Sequence, residues 1–173
     1  MKVREGELEV SFEGCEVDEL DTRHEGKRRP QGMRFVDWVV ERPGAPVWLV
    51  EVTDPCATGA TQEERGKFVE SLRGKTLVEQ ELVPKARDSY CYLHLMERGT
   101  EEVVFVVLIG SEALQLDPGL WGPKSTELEA ALLKEGYEPW KRKYVNQAIV
   151  VGSTEWAKHF PQYELARVAG GQA

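Results

Sequence analysis

Cysteine is scarce in this chain, and its few copies are poorly placed for chemistry. Cys15, Cys56 and Cys91 are far apart and odd in number. They make no metal-ligand spacing and no disulfide framework, which fits a reducing cytoplasm. Long apolar runs are missing too. Nothing approaches the roughly 20 residues that a membrane-spanning helix needs, so no membrane partner is expected. The first ten residues, MKVREGELEV, are charged and lack the apolar core of a secretion signal.

Positive charge is also in deficit, with a formal net charge of −8. That excludes bulk electrostatic affinity for nucleic acid, though not a local basic strip. Two such strips exist, Lys27-Arg28-Arg29 and Lys141-Arg142-Lys143, and each reads most simply as a solvated loop. Asparagine occurs once, at Asn146, and isoleucine twice; both shortages read as coding bias. His24, His94 and His159 are dispersed without ligand spacing, and the Trp and Tyr residues form no base-stacking stripe along the chain.

What is present is an ordinary globular composition, 41% hydrophobic and 30% charged. The length suits one domain with a real core, taken as residues 1–168, with 169–173 expected as a disordered tail. Leu8–Phe12 alternates apolar and polar residues and reads as a strand. Residues 14–32 are polar and charged, and read as a long loop or a short helix. Met33–Glu41 and Val47–Thr53 are rich in Val, Phe and Trp and read as two strands joined at Pro43-Gly44, a turn dipeptide. Thr61 is an N-cap candidate for a helix over Gln62–Leu72. Thr76–Val83 fits helical spacing, and Pro84 opens a helix over Lys85–Glu97.

Glu102–Ile109 is nearly all apolar, the pattern of a central strand covered on both faces. Trp121-Gly122-Pro123 reads as a loop, with Thr126 and Glu129 as a capping box for the next helix. Asn146–Val151 reads as a buried strand and Ser153–Phe160 as a short helix, followed by an irregular tail after Pro161. This order predicts the α/β class: a single-domain α/β/α sandwich around a central mixed sheet.

The two strands before residue 54 each carry an acid in an apolar setting, Asp37 and Glu51. If Arg42–Pro46 is the loop and Glu41 lies opposite Val47, Asp37 lies opposite Glu51 on the same face. Their Cβ atoms are then roughly 5 Å apart. Two like charges so placed destabilise a hairpin, and a cation, a basic side chain or a shared proton must offset them. A register shift of one residue separates them to opposite faces.

An acid in one strand and Glu51 in the next, followed by a helix and a buried strand, resemble the PD-(D/E)XK nuclease superfamily. The pieces VDWVVE, WLVEVTD, PKARDSYCYL and EWAKHFPQYELARV are similar to small bacterial members of it. The resemblance implies a restriction-endonuclease-like fold and Mg²⁺-dependent hydrolysis of phosphodiesters in nucleic acid. Asp37 and Glu51 would hold the metal, and Asp21 is a candidate third ligand. Two positions depart from the pattern. Val36 precedes Asp37 where the family has Pro, and Thr53 occupies the lysine position, so the charge that this lysine brings to the attacking water and the phosphate is missing there.

Two readings follow. A lysine enters from a following helix, Lys85 or Lys67, with Lys85 assigned to the catalytic set. Alternatively the site is inactive, and the fold is kept to bind a protein partner. Simpler roles exist for the same residues. Asp37 and Glu51 can form structural ion pairs with Arg34, Arg65 or Arg87; Lys85 can pair with Glu81 at i,i+4; Asp21 can be a loop acid; Asp54 can cap the turn at Pro55.

Overall fold

The apolar run VVFVVLI forms an interior strand of a five-stranded sheet. In the computed structural model of the chain, which describes residues 1–21, 30 and 32–168, this strand is β6 (Val103–Ile109), buried along its whole length. The sheet order is β3 (Glu16–Glu19), β4 (Trp38–Glu41), β5 (Val47–Thr53), β6 and β7 (Gln147–Gly152). The first three strands are antiparallel neighbours, and β5, β6 and β7 run parallel. A second sheet has the order β1 (Lys2–Glu5), β2 (Leu8–Ser11), β8 (Glu164–Arg167). The mixed α/β class read from the sequence is the class observed. Among the described residues, no helix is long and apolar enough to cross a membrane.

Side-chain alternation divides the large sheet into two faces. Leu49, Phe105, Val107 and Ile109 pack against Leu72, Leu82, Ala86 and Leu128. This face is covered by α1 (Gln62–Arg73), α2 (Val83–Leu95) and α3 (Trp121–Leu133). Val50, Val52, Val106 and Leu108 point the other way, onto Leu8, Val10, Trp156 and Phe160. The cover there is the small sheet and the short α4 (Trp156–His159). Helices on both faces were expected, so the second layer is a correction. Its strands alternate with period two and need only one buried face, which the large sheet supplies.

Three other expectations change. Residues 14–32 include β3, and the segment after Pro161 includes β8. Both are edge strands rich in charge, the composition that protects a sheet edge and reads as loop in a sequence. The expected strand from Met33 begins only at Trp38. Arg34 N–H donates to Asp88 Oδ2 at 2.9 Å and Val36 N–H to Ser89 Oγ at 3.0 Å, so this stretch is bonded to α2. The third helix starts at Trp121 and absorbs Thr126 and Glu129. The Thr126 hydroxyl donates back to Gly122 O, and Glu129 Oε1 accepts from Ala148 N–H on edge strand β7. Pro123 is tolerated because the first-turn N–H groups lack intrahelical partners in any case. His24 and the Lys27-Arg28-Arg29 cluster lie outside the described residues, as does the expected tail 169–173.

Other local readings hold. Thr61 and Glu64 form a reciprocal capping box at α1. Ala45 N–H donates to Arg42 O, and Gly44 takes φ +71°, so Pro43-Gly44 makes a type II turn. The stretch before Pro84 is a π-helical turn, Val78–Leu82. Pro84 cannot donate to Gln80 O four residues back, and the Arg34 guanidinium donates to that carbonyl instead.

Candidate active site

The hairpin turn sets the register, and the register brings the two acids together. Trp38 pairs with Val50 and Val40 with Trp48. One further step places Asp37, immediately before β4, opposite Glu51. Glu51 shares the helix-covered face with Leu49, and Asp37 shares it with Val39. Asp37 is 8% exposed and Glu51 is 5% exposed. Asp37 Oδ2 accepts from Val52 N–H at 2.6 Å. Lys85 Nζ, from the first turn of α2, donates to Glu51 Oε1 at 2.5 Å. Glu51 Oε2 is buried and has no hydrogen-bond partner.

Lys85 therefore pairs with a residue 34 positions away rather than with Glu81. The arginines named as structural partners are engaged elsewhere: Arg34 with Gln80 O, Arg65 with Pro55 O, and Arg87 with Asp88 and Glu135. Lys67 pairs with Glu63 on the surface of α1.

Burial dominates the electrostatics. It raises the Asp37 pKa against the pull of the Val52 N–H and the Lys85 charge. Glu51 is pushed up to about 8, by burial first and by the Asp37 charge second, with Lys85 offsetting only part of this. Burial disfavours the Lys85 ammonium, but the Glu51 ion pair and the charges of Asp37 and Asp21 outweigh it and raise the Lys85 pKa. Two facing carboxylates thus share one ammonium. The remaining negative charge calls for a proton shared by the coupled pair or for a further cation.

Asp21 is exposed, and its charge acts on Asp37, Glu51 and Lys85. It borders the pair without closing a compact three-carboxylate cage. Among the described residues, the one trio of His, Cys, Asp or Glu with ligand atoms within 4.8 Å of one another is Asp54, Cys56 and Glu112. That trio already has a cation. Arg167 donates to both Asp54 oxygens at 2.7 and 3.0 Å, to Glu112 at 2.8 Å and to Glu7 at 3.1 Å. Burial raises the Cys56 thiol pKa, which disfavours the thiolate a metal would need. Asp54 also accepts from Cys56 N–H at 3.2 Å, the turn cap expected of it.

Sequence reasoning missed two parts of the site. Glu5, at the end of β1, reaches the same acidic cluster. Partial desolvation raises its pKa, as do the charges of Asp37 and Asp21. No local pattern marks it, because it arrives from the second sheet. Asp88 reads from the sequence as a helix-start cap or a surface charge close to the site in the proteins this chain resembles, and Ser89 as one residue of a helix face; the positioning role of both was missed. They lie at i+3 and i+4 from Lys85, on one side of α2, and they hold the backbone of residues 34–36 that leads into Asp37. The helix thus fixes both the ammonium and the approach of the first acid. The available signal was three polar residues at that spacing in a helix that also carries buried Ala86 and Leu93.

The donor set fits a hard divalent cation. It offers carboxylate oxygens on rigid strands, one of them buried without a partner, and a charge balance short by one positive charge. Comparison of the chain with known protein families, curated proteins and solved structures found no match.

Proposed function

We propose that this chain is a metal-dependent phosphodiesterase acting on nucleic acid, a PD-(D/E)XK-type nuclease whose lysine comes from α2. The observation that carries the reading is the Lys85–Glu51 contact beside the orphaned Glu51 Oε2. Thr53 lies two residues beyond Glu51 on β5, hence on the same face, and leaves the strand lysine position without charge. Lys85 brings an ammonium to Glu51 from across the helix–sheet interface. The antiparallel β4–β5 hairpin, the helical crossover and β6 parallel to β5 support the restriction-endonuclease-like reading of the large sheet.

Asp37 and Glu51 would hold Mg²⁺, with Asp21 acting from the rim. The bound ion supplies Lewis-acid polarisation of the phosphate and a more acidic water. The protein supplies the rest. The Val52 N–H fixes Asp37 Oδ2, and the second Asp37 oxygen, beside Glu51, would be the one to meet the ion. Lys85 offsets negative charge that builds on the phosphoryl oxygens and orients the attacking water. Burial on the sheet strengthens each of these interactions relative to water.

The test is cleavage of single- and double-stranded DNA and RNA with Mg²⁺ or Mn²⁺, comparing the native chain with Asp37→Ala and Glu51→Ala. We expect metal-dependent cleavage by the native chain and a loss of at least about 100-fold in either variant. Equal rates for all three proteins would remove the catalytic reading. No cleavage at all, together with a discrete protein captured from the host, would favour an inactive fold that serves a protein partner.

A further inference from the structure

The basic run Lys141-Arg142-Lys143 lies in an exposed loop, as the sequence predicts, and the loop also borders a cavity. Arg142 and Lys143 rim a cavity of about 270 Å³ whose walls are Tyr90, Trp140, Tyr144 and Arg87. Trp140 and Tyr144 flank the basic run in one segment, and Tyr90, 50 or more residues earlier, is brought to them by the packing of α2 against the segment after α3. Tyr90 and Tyr144 lie 5.3 Å apart between ring centroids, and Trp140 is 45% exposed. The loop is pinned at both ends. Trp140 N–H donates to Leu133 O at 2.8 Å, Asn146 N–H donates to Val103 O at 2.8 Å, and Asn146 Oδ1 accepts from Val103 N–H. The single asparagine of the chain thus locks this loop to β6.

From this arrangement we infer that the cavity is a stacking subsite for one base of a single-stranded nucleic acid, with Arg142 and Lys143 holding the adjacent phosphates. The inference rests on the nuclease reading and names its substrate class. Volume is the first argument. The cavity lies just below the range of about 300–1,000 Å³ typical of drug-sized ligands, so it suits one planar ring system rather than the face of an apolar helix. Charge is the second. In a chain of net charge −8, aromatic faces beside adjacent cations select an anionic ligand with a flat apolar part. Strandedness is the third. Duplex bases are stacked on each other and cannot enter, whereas an unpaired base can. Arg87 is already ion-paired with Asp88 and Glu135 and serves as wall.

The test uses the full chain as Glu51→Gln in EDTA, with labelled single-stranded DNA and RNA 12-mers, the matching duplexes, and polyglutamate as competitor. We expect single strands to bind and to quench tryptophan fluorescence. Trp140→Ala should weaken binding about tenfold or more, the loss of one stacked base, and Trp140→Phe should restore most of it. Arg142→Ala with Lys143→Ala should reduce the slope of log K against log salt by about 1.4. Three outcomes overturn the inference: no binding of either single strand, binding that Trp140→Ala leaves unchanged, or polyglutamate competing as well as the oligonucleotide, which marks an acidic-peptide surface. Because metal and Glu51 are absent, binding without any cleavage by the native chain would sink the catalytic reading alone. Intact cleavage with no effect of Trp140→Ala would sink this subsite alone.

Discussion

Replacing Lys85 with Met is expected to reduce metal-dependent cleavage by about 100-fold or more while the fold persists. Removing one preorganised group that opposes transition-state charge typically costs that much. Met keeps the length of the apolar stem against the sheet and deletes only the ammonium. The informative variant is the double substitution Lys85→Met with Thr53→Lys. Residue 53 shares the face of Glu51, so a lysine there presents its ammonium to the same carboxylate from the strand. The double variant should regain at least about tenfold over Lys85→Met. Wild-type rates in Lys85→Met would show that the ammonium is a structural partner of Glu51 and nothing more.

The second large effect is on stability. Without a divalent cation, the site is a buried acidic pair with too little positive charge. Glu51 ionises near 8 in the folded chain and near its ordinary value when unfolded. A group whose folded pKa is raised contributes stability that is fully present below its unfolded pKa and lost as pH rises through the folded one. The metal-free chain should therefore lose stability from this group between about pH 4.5 and pH 8, on the order of a few kcal/mol. Asp37 and Glu5 are shifted in the same direction and add to the trend.

Glu51→Gln keeps an acceptor for Lys85 Nζ and removes the titration. In EDTA at pH 8 its melting midpoint should exceed that of the native chain by several degrees, and its dependence on pH should be flatter. Each kcal/mol corresponds to about 2–4 °C at this size. The same variant should be inactive. A lower midpoint for Glu51→Gln at pH 8 would mean that Glu51 is a stabilising ion-pair partner, contrary to the electrostatics described here.

Much of this site was legible in the sequence because turn chemistry is local. Pro43-Gly44 fixes the loop, the loop fixes the register, and the register places Asp37 across from Glu51. Lys85 was named from its position at the start of a helix after the second acid, and this helix packs on the face that carries Glu51. Less legible was whatever depends on distant partners. β3 and β8 are charged edge strands, which look like loops until a neighbouring strand is in place. The start of α3 was misread because Thr126 and Glu129 imitate a capping box while bonding to Gly122 and to β7. Glu5 and the approach of Tyr90 to the Trp140–Tyr144 segment are invisible in one dimension, since each joins residues that only the packed fold brings near.

Soaking Mn²⁺ into crystals of the chain and locating its anomalous signal tests the central claim most directly. The account predicts a peak at coordination distance from Asp37 and from Glu51 Oε2, with Lys85 still in contact with Glu51 or with a water beside the ion. A peak at Asp54, Cys56 and Glu112 instead, or no peak at saturating Mn²⁺, would contradict it.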